Sequence, residues 1–200
     1  MTKESYHTAA QGQVPVLQII GYKNSGKTTL ACRLIHALTA RGIRVGSAKH
    51  DAHGFTLDDP GTDSSKHLLN GAVETVLTSP QATRFMRQAE TSLEEIVQSM
   101  QGRVDLLIAE GFKSAPYPKI ALLRHMDDRN TLEQEATNIR LWLSRDGAAD
   151  GGGSDAGTVE AGAEAESPAS AGGMSSTVLP MYDQELVDRE ILQLALALLD

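Results

Sequence analysis

Residues 14–30 read VPVLQIIGYKNSGKTTL, an apolar run that ends at Gly21 and turns through a polar loop into Thr28, Thr29 and Leu30. Val16 to Ile20 has the length and composition of a short buried strand. Downstream, TTLACRLIHALTARG places Leu30, Leu34, Ile35 and Leu38 on one helical face, and Gly42 is a good C-terminal stop. Between the two, Gly21, Tyr22, Lys23, Asn24, Ser25, Gly26, Lys27 and Thr28 match G-x-x-x-x-G-K-[ST] at every fixed position. Each position has a physical task. The glycines let the backbone turn tightly around an anion, and consecutive amides at the start of a helix point at phosphate oxygens. Lys27 would neutralise the β and γ phosphates, and Thr28 would give its hydroxyl to a Mg²⁺ that bridges them. The plainer reading is a ligand-free strand-to-helix turn; the flanking strand and amphipathic helix weigh against it. Lys23 stands apart. Partitioning-type ATPases carry a second lysine directly after the first glycine, where this chain has Tyr22, so Lys23 is either a solvated loop residue or a phosphate contact.

Working outward, strands and helices alternate. IRVGSAK reads as a second strand, HDAHGFTLDDPGTDSS as a polar loop and KHLLNGA as a short helix, followed by a third strand in AVETVLTS. SLEEIVQSM is a helix whose Ser92 and Glu95 have capping-box spacing, and VDLLIAE is an apolar run of the kind a fully buried parallel strand requires. KIALLR and IRLWLS are further strands, VLPMY a last one. Asp183 caps a final helix that turns Leu186, Val187, Ile191, Leu194 and Leu198 inward. This alternation predicts an α/β fold of the P-loop NTPase type: a doubly wound, mostly parallel sheet with flanking helices.

The chain has 200 residues, 40% of them hydrophobic, which suits one domain spanning 1–200. Of the formal charge of −8, six acids lie between Asp146 and Ser176, where there is no Lys or Arg, so the remainder is close to neutral. No basic footprint for nucleic acid is visible. Residues 147–176 are Gly, Ala, Ser, Asp and Glu with almost nothing to bury, which predicts a disordered insertion, and residues 1–13 read as a flexible N-terminus. Cys32 is the only cysteine, so a disulfide framework within one chain is excluded. Neither a signal peptide nor a membrane-spanning stretch is recognisable, and a cytoplasmic location is expected.

A phosphate-binding loop wants an acid at the carboxyl end of a neighbouring strand. In VDLLIAEG, Asp105 and Glu110 stand at opposite ends, roughly 16 Å apart at about 3.3 Å per residue. Glu110 is the candidate for the ligand side, with Lys27 the second candidate catalytic residue; a carboxylate capping the next turn is the alternative for Glu110. Asp105 reads as a solvated residue at the strand's entry. By the same rule Lys49, His50 and Asp51 project towards the pocket, and Asp51 could help to hold the metal. His50 and His53 have the spacing of a zinc pair, although loop histidines bonded to backbone or solvent are the better reading. Thr62 or Asp63 either caps the short helix or contacts nucleotide.

Taken together, GYKNSGKTTL, AKHDAHGF, DDPGTDSSKHLLNGA and DLLIAEGFK followed by PKIALLR resemble the MobB family, the molybdopterin-guanine dinucleotide biosynthesis adapter proteins. The resemblance covers Val16 to Arg124 and extends more loosely to the C-terminus. It implies a P-loop protein, similar to GTPases of the signal-recognition and metallochaperone group, that binds GTP and hydrolyses it weakly. It further implies a homodimer that assists the MobA-type guanylyltransferase, the enzyme that joins GMP to molybdopterin. On this resemblance Gly21 to Thr29 hold the phosphates, and Thr28, Asp51 and Glu110 lie near Mg²⁺. Lys113 contacts a phosphate or an anionic molybdopterin, a surface lysine being the plain alternative. No Asn-Lys-x-Asp guanine-reading motif is present, and Ser144 and Asp146 are the candidate base readers. GTP over ATP is therefore implied by the resemblance alone, and an ATP-dependent small-molecule kinase or ligase on the same fold is the alternative.

Overall fold

VLQIIG, LLIAE and KIALL are buried at every position, a pattern that suits strands covered on both faces. In the computed structural model, which describes residues 13–146 and 178–200, these segments are the middle of a sheet. The elements are β1 (Val16–Gly21), α1 (Lys27–Thr39), β2 (Val45–Lys49), α2 (Asp63–Leu69), β3 (Glu74–Thr78), β4 (Thr83–Arg87) and α3 (Leu93–Met100). There follow β5 (Leu106–Glu110), β6 (Lys119–Leu123), α4 (Asp128–Glu135), β7 (Ile139–Ser144), β8 (Val178–Pro180) and α5 (Gln184–Leu196). Six strands pair in parallel in the order β2-β5-β1-β6-β7-β8. The expected insertion and N-terminal tail lie outside the described residues, except for Gln13, which is exposed.

Helices cover both faces. Leu30, Leu34 and Leu38 of α1 and Val187, Ile191 and Ala195 of α5 pack on Leu17, Ile19, Leu106, Ile108 and Leu122. A buried leucine or isoleucine of this kind contributes roughly 1.5–3 kcal/mol. On the other face, Leu93 and Val97 of α3 meet Val16, Leu107 and Ala109, while Leu132 of α4 meets Ile20, Ala121 and Trp142. Side-chain caps fall where the sequence places them at α3 and α5. Ser92 and Glu95 form the reciprocal box, and Asp183 accepts from the Leu186 amide.

Three expectations are corrected. The third strand, β3, does not join the main sheet but forms an antiparallel hairpin with β4, which the sequence reading left unassigned. Glu74, Val76 and Thr78 of β3 are all exposed, so the strand lacks the two buried faces that an interior parallel position demands. A helix, α4, also stands between KIALLR and IRLWLS, the usual form of a connection between adjacent parallel strands. Asp105 is not a free solvated residue: Arg44 clasps it at 2.6 Å, pinning the entry of β5 to the residue that precedes β2.

The link from β5 to β6 must pass from one side of β1 to the other, and residues 111–118 do so without a helix. Their carbonyls need other donors. Fully buried Gln18 supplies two, its Nε2 reaching Gly111 O at 3.1 Å and Phe112 O at 2.7 Å. Fully buried Lys119, its Cα partner across β1 and β6, donates to Ala115 O and to Tyr117 O at 2.9 Å.

Candidate functional site

The carboxyl ends of β1, β2 and β5 meet where the chain leaves the sheet in opposite directions: from β1 through α1 to β2, and from β5 across β1 to β6. Ligands of open parallel sheets bind in such a crevice. A cavity of about 1500 Å³ lies here, bordered by the polar loop after β1, Lys49 to His53, Glu90 to Glu94 and Glu110 to Pro116.

Gly26, in the left-handed region at φ 100°, carries the chain into α1 and has no side chain with which to cap it. By contrast α2, α3 and α5 are each capped by a side-chain oxygen, from Thr62, Ser92 and Asp183. The first turn of α1 also holds no acid. Its amide donors and positive dipole end therefore face the cavity, where an anion is favoured. Thr62 settles its own alternatives: its oxygen accepts from the Ser65 amide at 3.2 Å, so it is a helix cap.

Four side chains from three elements, α1, β2 and β5, converge beside this turn. Thr28 Oγ1 lies 3.0 and 2.9 Å from the two carboxylate oxygens of Glu110, and Lys49 Nζ lies 3.2 Å from Glu110 Oε1. Lys27 Nζ donates to Tyr22 O at 2.7 Å. Burial lowers the Lys27 pKa, Glu110 opposes that shift, and the nearby cations Lys49, Lys113 and Arg124 add to it. Positive charge is thus concentrated around Lys27 in a chain whose net charge is −8. The oxygen donors of Thr28 and Glu110, adjoining an open helix N-terminus, are the hard ligand set that Mg²⁺ takes together with substrate phosphates. Asp51 borders the same cavity, with its Oδ1 accepting from the His53 amide at 3.0 Å.

Of the residues singled out from sequence, Gly21, Tyr22, Lys23, Asn24, Gly26, Lys27, Thr28, Thr29, Lys49, Asp51, Glu110 and Lys113 all border the cavity. Ser25 does not. It is fully buried beneath the loop with an unpartnered Oγ. His50 stacks at a tilt on Phe112, ring centroids 5.2 Å apart, and among the described residues no cluster of three His, Cys, Asp or Glu side chains is arranged to hold a metal. Ser144 is fully buried and Asp146 pairs with His125 at 2.9 Å; neither borders the cavity.

Lys113 is held in place rather than loose on the surface: it pairs with Glu135 at 2.5 Å and its Nζ lies 4.5 Å from the centre of the Tyr22 ring. Arg124, which is not among the site candidates from sequence, stands 4.8 Å from the same ring and is bound to Asp128. The rule that selected Lys49 and Glu110, a charged residue at a strand's carboxyl end, would also have selected Arg124. Gln18 was visible too, as one polar residue inside VLQII. Arg145 was not: its guanidinium reaches Asn24 O at 3.3 Å from a loop distant in sequence.

Comparison with known proteins accords with this geometry. Residues 16–144 match the family model described as molybdopterin guanine dinucleotide synthesis protein B. A molybdopterin-guanine dinucleotide biosynthesis adapter protein of Escherichia coli is 37% identical over 121 residues, 58% of this chain and 69% of the relative. A protein of the same description from Haemophilus influenzae is 39% identical over 115 residues, 56% of this chain and 65% of the relative. The crystal structure of Bacillus subtilis MobB superposes with a TM-score of 0.65 at 24% identity, covering 90% of this chain and 97% of that one, a likeness of fold.

Proposed function

The chain belongs to the molybdopterin guanine dinucleotide synthesis protein B family, and from that premise we propose that it is a GTP-binding adapter with weak GTPase activity in molybdenum cofactor biosynthesis. In this reading the protein is a single nucleotide-binding domain in the cytoplasm that assists a MobA-type guanylyltransferase acting on molybdopterin. The observation that carries the nucleotide assignment is the uncapped α1 N-terminus facing the cavity beside Lys27, Thr28 and Glu110.

The residues divide the work. The amides from Tyr22 to Thr29 bind phosphate oxygens, and Lys27 gives up the Tyr22 carbonyl to neutralise the β and γ phosphates. Thr28, Glu110 and Asp51 hold Mg²⁺, which when bound shields the phosphate charge and fixes its orientation. Lys113 approaches a phosphate or the anionic pterin from the wall formed by residues 110–116. A cavity lining that, among the described residues, has no cluster of arginines to clamp an acceptor favours an adapter with slow hydrolysis over a kinase.

Homodimerisation is supported by the β3–β4 hairpin, which exposes Val76 and Phe85 as a cross-strand apolar pair on one face. Calorimetric titration with GTP and ATP analogues in Mg²⁺, beside Lys27→Ala, tests the reading. GTP-selective binding that the variant loses is expected; an ATP preference would favour a kinase or ligase, and no binding would end the nucleotide assignment. Light scattering on the same samples should give twice the 21.4 kDa chain mass, and a monomer would remove the dimer.

A further inference from the structure

Glu110 is a carboxylate at the end of an interior strand, only 8% exposed, and such a group requires donors or a cation. Thr28 supplies a hydroxyl, and the cation within bonding distance is Lys49 rather than the lysine of the loop itself. Lys27 spends its nearest hydrogen bond on Tyr22 O. Lys49 Nζ lies 3.2 Å from Glu110 Oε1 and 3.4 Å from Thr28 Oγ1, so one ammonium bridges two of the three oxygen-bearing groups that would hold the metal. It is also well placed to leave. Lys49 ends β2, the edge strand of the sheet, and its side chain is 56% exposed, so withdrawal opens no buried void.

Resting on the nucleotide-binding reading above, we propose that Lys49 is the resident cation of the metal seat, excluding a bare divalent ion until one arrives with nucleotide phosphates. Two cations cannot share the same few oxygens at close range without strong repulsion. Mg²⁺ gives up its water reluctantly and is held by one or two carboxylates together with substrate phosphates, so the bare ion competes poorly with an ammonium already seated. A nucleoside triphosphate changes the balance. Its phosphates bring negative charge to the mouth of α1, offering Lys49 a new anionic partner while Thr28 and Glu110 pass to the metal. Lys49 thereby makes the site selective for the metal–nucleotide complex over either component, and becomes a phosphate ligand in the loaded state.

The test uses Mn²⁺ alone as the probe, with free ion measured by electron paramagnetic resonance, on the full chain without nucleotide. Lys49→Met should bind Mn²⁺ about tenfold more tightly than wild type, the scale of one charge-assisted hydrogen bond. Lys49→Arg, which retains the cation, should stay with wild type, and adding Glu110→Gln to Lys49→Met should abolish the gain. Equal Mn²⁺ affinity in wild type and Lys49→Met overturns the proposal, as does an equal gain in Lys49→Arg. A parallel GTP titration in Mg²⁺ separates the two readings. Wild-type protein that binds no GTP ends the nucleotide assignment and the phosphate half of this proposal, whereas normal GTP binding with unchanged Mn²⁺ affinity ends the proposal alone.

Discussion

At Gly21 the backbone has φ +146°, and a Cβ there would lie 2.6 Å from Leu122 O and 2.8 Å from Ser25 Oγ. Gly42 has φ +83° with nothing within 4 Å of the same position. Gly42→Ala should therefore cost about 1 kcal/mol, from conformation alone, whereas Gly21→Ala adds a clash with a backbone atom and should cost about 2 kcal/mol more. Urea unfolding of both variants measures the difference, and equal losses would show that β6 does not press on the loop. Lys119 gives a prediction in pH. Burial pushes its ammonium down to about 8 from the ordinary 10.5. The unfolded chain then holds the proton more tightly than the folded one between these values, so Lys119 makes stability rise with pH from about 8 towards 10.5. Burial also raises the pKa of Tyr117 and lowers that of Lys27. The comparison that isolates Lys119 is wild type against Lys119→Met. Their stability difference should grow by on the order of 2 kcal/mol between pH 8 and pH 10 in favour of wild type, and a flat difference would mean that the amine is solvated. The loop glycines and Lys27 were legible from sequence because the motif is contiguous. The burial of Lys119 was not, because nothing local distinguishes it from a lysine at an exposed strand entry.

At the scale of elements, α5 begins with Asp183, whose Oδ1 accepts from the Leu186 amide at 3.0 Å, and buries Val187, Ile191 and Ala195 against the α1 face of the sheet. Asp183→Ala should destabilise the protein by about 1 kcal/mol and Asp183→Asn by only a few tenths, read from the denaturation midpoint. Equal effects would mean that charge near the helix start, not the cap bond, is what matters. The elements legible in the sequence were those with a strong apolar period or a cap. The apolar stripe of α1, the Ser92–Glu95 box of α3 and the apolar run of β5 are each contained within a few turns or one strand. DRNTLEQE lacked such a signal, since only Leu132 in α4 is buried. TRFMR was equally silent, with Met86 alone buried in β4. In both cases tertiary contacts decide the element, not local preference.

At the scale of the whole molecule, β8 lies parallel to β7, with Trp142 paired to Val178 and Ser144 to Pro180. A connection from the end of β7 must return only about two residues along the strand and one strand sideways, roughly 10 Å in all. A six-residue Gly/Ser linker replacing residues 147–176 spans that distance at about 3.3 Å per residue. The shortened protein should keep its urea midpoint and its GTP affinity, and loss of either would give residues 147–176 a part in the fold or the site. By itself the sequence determined the glycine-containing loop from Gly21 to Thr28, most of the alternation of strands and helices, the caps of α3 and α5 and the place of Glu110 at the end of VDLLIAE, because each depends on neighbours within a few positions. Only the tertiary structure decided the order β2-β5-β1-β6-β7-β8, the exclusion of β3 from that sheet, and the placing of Lys113 and Arg124 beside Tyr22. It also decided that Lys49 and Thr28 share Glu110, a carboxylate 82 positions beyond Thr28. Such meetings follow from which strands become neighbours, and strand order is set by the burial of whole faces, which no short stretch of sequence contains.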